Sequence, residues 1–168
     1  MHTQSTVRTI LWLMAAALLA DHALAGDTPA PPSNHWLLDV AESDDRFMRI
    51  EQQFGGFSGA MWAVRERYER VYEALVDGNL PLAAYHWDKI GEHIRLGYLR
   101  RPGRRPNADA LFLDGQWQAA GKVFQGEDIA AARAAFLEAR KACMACHVAE
   151  RVPFMNDQPL FRRTESFP

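Results

Sequence analysis

Residues 47–75 read FMRIEQQFGGFSGAMWAVRERYERVYEAL. Apolar side chains fall at Phe47, Ile50, Phe54, Phe57, Met61, Val64, Tyr68, Val71 and Leu75, in steps of three and four that alternate without an error. That spacing holds one stripe on one face of an α-helix and predicts the seam of a helix packed in a bundle. Ser43 or Asp44 suits the N-cap, and Asp77-Gly78-Asn79 supplies a glycine stop. Gly55, Gly56 and Gly59 each cost about 1 kcal/mol against Ala inside a helix. They either break the helix or admit something bulky close to its backbone.

The same reading extends outward. Pro81 fits the first turn of a second helix, with Ala84, Trp87, Gly91, Ile94 and Tyr98 as its stripe. It ends before a loop that carries Arg100, Arg101, Pro102, Gly103, Arg104, Arg105 and Pro106. Asn107 is placed to cap a third helix with Ala110, Leu113, Trp117, Ala120 and Phe124 inward, closed by Gly126. Asp128 is placed to cap a fourth, with Ile129, Ala132, Phe136, Ala139, Cys143 and Cys146 on one face and Pro153 as its stop. No window alternates with period two for long enough to make a sheet. Short linkers between amphipathic helices make neighbours antiparallel. The expectation is an all-α, up-down-up-down four-helix bundle over residues 43–152, with an irregular tail over residues 153–168.

Ahead of the bundle, Arg8 precedes an apolar run from Ile10 to Ala20, and Ala23-Leu24-Ala25 forms an A-x-A cleavage pattern. Residues 1–25 therefore read as a signal peptide, with a mature chain from Gly26 and a Pro-rich leader over residues 26–42. The apolar run is too short to span a bilayer, so the expected destination is the bacterial periplasm with no membrane span in the mature chain. The chain has 168 residues, 48% hydrophobic and 24% charged, which is enough for a core and excludes wholesale disorder. A formal net charge of −2 gives no field for nucleic acid. Two cysteines exclude a disulfide-dense scaffold.

Those two cysteines sit in Cys143-Met144-Ala145-Cys146-His147. On a helix, positions i, i+3 and i+4 project from one face. The spacing lets two thiols add to the vinyl groups of one haem while the next residue's imidazole reaches the iron. A thioredoxin-like dithiol would need a helix N-terminus after a strand, and a zinc site would want a fourth ligand. Covalent haem c, one per chain, is the expected cofactor. His147 lies 19 residues beyond Asp128 (147 − 128). At about 1.5 Å rise per residue, the matching level on the first helix is near residue 58, bracketed by Phe57 and Met61. A flat macrocycle at that level would give the glycines a reason.

A haem motif near the end of the last helix of an exported all-helical chain resembles the cytochrome c′, or class II c-type cytochrome, family over about residues 45–151. The resemblance favours Met61 as the residue facing the iron. It also places an Arg one turn beyond the haem His, where Arg151 stands, for a haem propionate or the proximal face. Glu150 stands where the family often has an aromatic residue. Pairing of two copies through the first two helices is a further expectation from the family.

Two chemistries follow. With Met61 sulfur on the iron, His147 and Met61 make a six-coordinate haem with a raised potential, suited to carrying single electrons to and from a redox partner protein. With an apolar group such as Phe57 over the iron, the haem is five-coordinate and takes nitric oxide or carbon monoxide. A peroxidase would need a distal acid or base, and the seam offers none at that level, so the chain is read as a carrier and not an enzyme. His86 and His93, seven apart, suit surface or half-buried positions better than a bis-His pair. Trp36, Trp62, Trp87 and Trp117 read as hydrophobic bulk, with Trp62 beside the seam. The arginines at 100, 101, 104 and 105 read as a solvated loop ahead of a docking patch.

Overall fold

A computed structural model describes residues 37–168. The expected signal peptide, most of the leader and Trp36 lie outside the described residues. The chain divides into two compact units after Phe47. In the first, the backbone turns over residues 37–39 and Arg46 donates Nε to the Val40 carbonyl at 2.7 Å.

The described residues are mostly helical and contain no strand. The helices are α1 (Ser43–Phe54), α2 (Phe57–Val76), α3 (Leu80–Arg100), α4 (Arg105–Ala108), α5 (Gln116–Phe124), α6 (Ile129–Ala149) and α7 (Pro159–Arg163). Short 3₁₀ turns cover Pro102–Arg104 and Pro153–Asn156, and a π-helical turn covers Asp109–Leu113.

The long first helix is two helices, and the glycines are the reason. Gly55 has φ +64°, which ends α1. The chain then folds back so tightly that a Cβ on Gly59 would lie 2.5 Å from the Phe54 carbonyl oxygen. The glycines therefore make a break, and the close approach is from the chain's own backbone. Helix α1 starts at Ser43 itself and buries no residue. The predicted seam is buried only along the C-terminal part of α2, at Tyr68, Val71 and Leu75.

The signals around the first stop act as expected. Gly78 takes φ +72°, Asn79 Oδ1 accepts from the Leu82 amide at 3.1 Å, and Pro81 occupies the first turn of α3. Helices α2 and α3 pack along each other, while α5 lies against α6 and α3. Arg133 of α6 donates to the last carbonyls of α2, Leu75 and Val76, at 3.0 Å each. A cation there meets the orphaned acceptors and the negative end of the helix dipole.

The third helix also differs from expectation. It is split into α4, the π turn and α5; Leu113 is buried as expected, but Ala110 is exposed and Ala108 and Phe112 are buried instead. Asn107 does not cap it; its Nδ2 donates to Glu150 Oε1 at 2.7 Å. Inside, Trp87 is fully buried and meets Phe112 and Phe124 edge-on at 5.8 and 5.2 Å. Trp87 Nε1 donates to the Trp117 carbonyl and Trp117 Nε1 to the Trp87 carbonyl, at 2.8 and 3.0 Å. A Cβ on Gly91 would strike the Trp117 ring at 2.6 Å, so that glycine admits the indole.

Asp128 caps α6 through the Ala131 amide at 3.0 Å. Residues 153–168, read as irregular, contain a 3₁₀ turn and α7 and send three side chains into the core. Leu160, Phe161 and Thr164 are buried. Thr164 Oγ1 meets Tyr68 Oη at 3.2 Å, Arg140 donates twice to the Phe161 carbonyl at 3.2 and 2.9 Å, and Phe167 stacks on Tyr72 at 4.9 Å. The tail is thus clamped onto α2 and α6. No described helix is long and apolar enough to cross a membrane.

Candidate functional site

Helix α6 carries two kinds of face in sequence. Ala132, Phe136 and Ala139 are fully buried, whereas Cys143, Cys146 and His147, continuing the same stripe, are half-buried. These three line one cavity of about 620 Å³. Phe57, Met61, Val64 and Tyr68 of α2, Ile90 and Ile94 of α3 and Phe112 of the π turn line it as well. The C-terminal segment adds Val152, Met155, Leu160 and Phe161. Phe57 and Met61, bracketed from helix rise alone, thus share a cavity with His147. The ring of Phe57 stacks on Tyr98 at 6.3 Å and sits over Gly97, which holds it toward α3.

No disulfide joins the two cysteines. Enclosure by apolar side chains pushes the Cys143 thiol up to about 12, and burial also raises Cys146. Both therefore stay protonated at neutral pH, the opposite of an activated dithiol. Their place in the last turns of α6, at the negative end of its dipole, works in the same direction.

His147 has a defined tautomer. Asn156 Nδ2 donates to the Met144 carbonyl at 3.1 Å. That carbonyl can only accept, so the amide orientation is settled and Oδ1 faces the imidazole. His147 Nδ1 lies 2.8 Å from this oxygen and must be the protonated nitrogen. Nε2 keeps its lone pair, as a metal-binding imidazole requires. Phe161 meets the ring edge-on at 5.6 Å.

The helix ends in a reverse turn at Arg151, whose φ is +62°. The Val152 amide reaches back to the His147 carbonyl at 2.9 Å and the Arg151 amide to Val148 at 3.0 Å. This is a Schellman-type end with Arg where glycine is usual. Arg151 is exposed and is not among the residues lining the cavity. Its backbone, rather than its guanidinium, serves the site by sending the chain back over α6. The charged groups that do line the cavity are Arg65, Arg104 and Glu150. Arg104 pairs with Glu150, which Asn107 also binds.

The remaining candidates lie apart. Neither His86 nor His93 lines the cavity; His86 Nδ1 is 3.1 Å from Arg67 Nη1, and burial holds both histidines below the usual value. Trp62 is 71% exposed at the cavity edge, with Arg65 over its ring. The arginine cluster is tied down more than a solvated loop would be: Arg100 donates to the Phe54 carbonyl at 3.0 Å and Arg105 pairs with Asp109 at 3.1 Å.

The donor set fits a covalently held haem. Two protonated thiols one turn apart and an imidazole with its Nε2 lone pair line a largely apolar cavity of drug-to-cofactor size. Among the described residues, no cluster of three or more His, Cys, Asp and Glu side chains is placed to hold a metal ion by itself. Sequence reasoning missed Asn156, Phe161 and Met155. They stand in a Pro-broken segment without periodicity, so no pattern pointed inward. No protein-family model, curated protein or solved structure matches this chain.

Proposed function

We propose that this chain is a monohaem c-type cytochrome that carries single electrons. The observation behind this reading is that Cys143, Cys146 and His147 line one cavity that Met61 of α2 also lines. Cys143 and Cys146 would hold the haem covalently through their sulfurs, and His147 Nε2 and Met61 sulfur would bind its iron. When bound, the haem supplies one-electron exchange at iron. Ile90, Ile94, Phe112 and Leu160 give the cavity an apolar lining, which limits rearrangement around a change of charge. The helices α2, α3, α5 and α6 are read as the up-down-up-down bundle of the class II cytochromes, exported to the periplasm, where haem is attached. A redox partner protein and a homodimer belong to the same proposal. The position of Phe57, held against Tyr98, favours Met61 over an apolar cover.

Mass spectrometry of protein purified from an exporting, haem-attaching host tests the anchor. One covalent haem per chain is expected, lost in the Cys143→Ser, Cys146→Ser double variant; two unmodified thiols in native material would sink the proposal. Optical spectra with and without carbon monoxide test the axial position. A ferrous form indifferent to the gas is expected, converted by Met61→Ala into one that binds it. Gas binding by the unsubstituted protein would select the five-coordinate alternative, a binder of nitric oxide or carbon monoxide. An unchanged spectrum in Met61→Ala would remove Met61 as a ligand.

A further inference from the structure

The C-terminal segment contributes one polar group to the imidazole, and that group is itself held. Asn156 closes the 3₁₀ turn Pro153–Asn156 and is half-buried. On one side the turn is fixed by the Schellman end at Arg151, and on the other by buried Leu160, Phe161 and Thr164. Its amide spans two partners on α6, the Met144 carbonyl at 3.1 Å and His147 Nδ1 at 2.8 Å. An amide tied at both ends cannot rotate to offer its nitrogen to the imidazole without losing the Met144 bond. The edge of Phe161 blocks a free swing of the ring.

We infer that Asn156 is a positioning residue that fixes His147 as its Nδ1–H tautomer and thereby sets the reduction potential of the bound group. The inference rests on the haem reading above for its second half only. A hydrogen bond from Nδ1–H raises the basicity of Nε2, and a more basic ligand favours the oxidised metal. A neutral amide oxygen gives an intermediate setting. A carboxylate in its place accepts more strongly, and an apolar side chain does not accept at all. The C-terminal segment, through this one oxygen, is then part of the site and not an appendage.

Two measurements test this separately. In the full-length chain produced without haem, ¹⁵N shifts of the His147 ring are expected to show Nδ1–H favoured at least tenfold, and Asn156→Leu is expected to abolish that preference. A wild-type ring predominantly in the Nε2–H form would overturn the assignment. This arm needs no haem, so its failure is distinct from failure of the cytochrome reading. In the haem-loaded protein, the potential is expected to fall in Asn156→Asp and rise in Asn156→Leu. A role confined to stability would shift both variants the same way or neither, and either result would overturn the tuning role. Asn156→Asp keeps the size of the side chain and its oxygen toward His147 while giving up the Met144 bond, so a folding failure in Asn156→Leu leaves the first variant to decide.

Discussion

The two halves of α2 and α6 share one apolar stripe and differ in what it meets. At one end, Tyr68, Val71 and Leu75 of α2 and Ala132, Phe136 and Ala139 of α6 are buried at 0–4% exposure. At the other, Phe57, Met61 and Val64 line one cavity with Cys143, Cys146 and His147, and every one of these is half-buried. Identical spacing therefore serves both a packed core and the lining of a site. Periodicity tells which face of a helix is apolar; it does not tell whether side chains or a ligand lie against it.

The largest expected contrast is in stability. Phe136→Ala removes a fully buried ring in contact with Tyr68, at 4.6 Å between centroids, and should cost about 3–5 kcal/mol. Met61→Ala in the half-open end should cost no more than about 1 kcal/mol in the haem-free chain, because much of its side chain is already outside the packed core. Urea unfolding of both variants checks this. Equal losses would break the distinction between the two halves.

Tyr68 joins the halves, since it lines the cavity and its hydroxyl meets Thr164 in the core. Tyr68→Phe should cost about 1 kcal/mol, as Thr164 Oγ1 keeps its bond to the Leu160 carbonyl. A neutral result would show that the Tyr68 hydroxyl adds nothing to the docking of the tail. A smaller effect, of opposite sign, is expected at the exit of α6. Arg151→Gly relieves a left-handed backbone and should raise stability by about 0.5–1 kcal/mol while leaving the haem spectrum unchanged. A changed spectrum would restore the guanidinium to the site.

The smallest effect concerns pH. Asp109 accepts from Tyr98 Oη at 2.6 Å and from Arg105, and these bonds hold its carboxyl below the usual value. A depressed pKa stabilises the fold above the unfolded value, 3.8, and the contribution is lost as pH falls through the folded value. Burial first, and then the bond to Asp109, raise Tyr98, so its share is fully present below pH 10 and is lost as pH rises through the higher folded value. Asp109→Asn should flatten the acid limb of a melting-temperature profile, and an unchanged limb would place that acid sensitivity elsewhere.

Much of the helical layout was legible because its signals are local. Gly78, Pro81 and Asp128 act through backbone geometry or one hydrogen bond within three residues, so neighbours in sequence suffice. The glycines at 55 and 59 carried an ambiguous signal, since a helix break and a close approach both call for a missing Cβ. The π turn at Asp109–Leu113 was not legible, because one extra residue in a turn shifts the buried set from Ala110 to Phe112 without altering composition. The tail was misread for lack of periodicity, yet burying Leu160 and Phe161 needs only one short turn, α7.

From the order of residues alone follow the helical class, the main stops and the projection of Cys143, Cys146 and His147 from one face, since a turn of 3.6 residues brings i, i+3 and i+4 together wherever the helix lies. Tertiary structure decided what that face meets: the cavity shared with Met61, the clamped C-terminal segment and the amide that chooses the proton-bearing nitrogen of His147. Those contacts join separate elements through non-repeating turns, and their geometry is set by packing rather than by the pitch of any one helix.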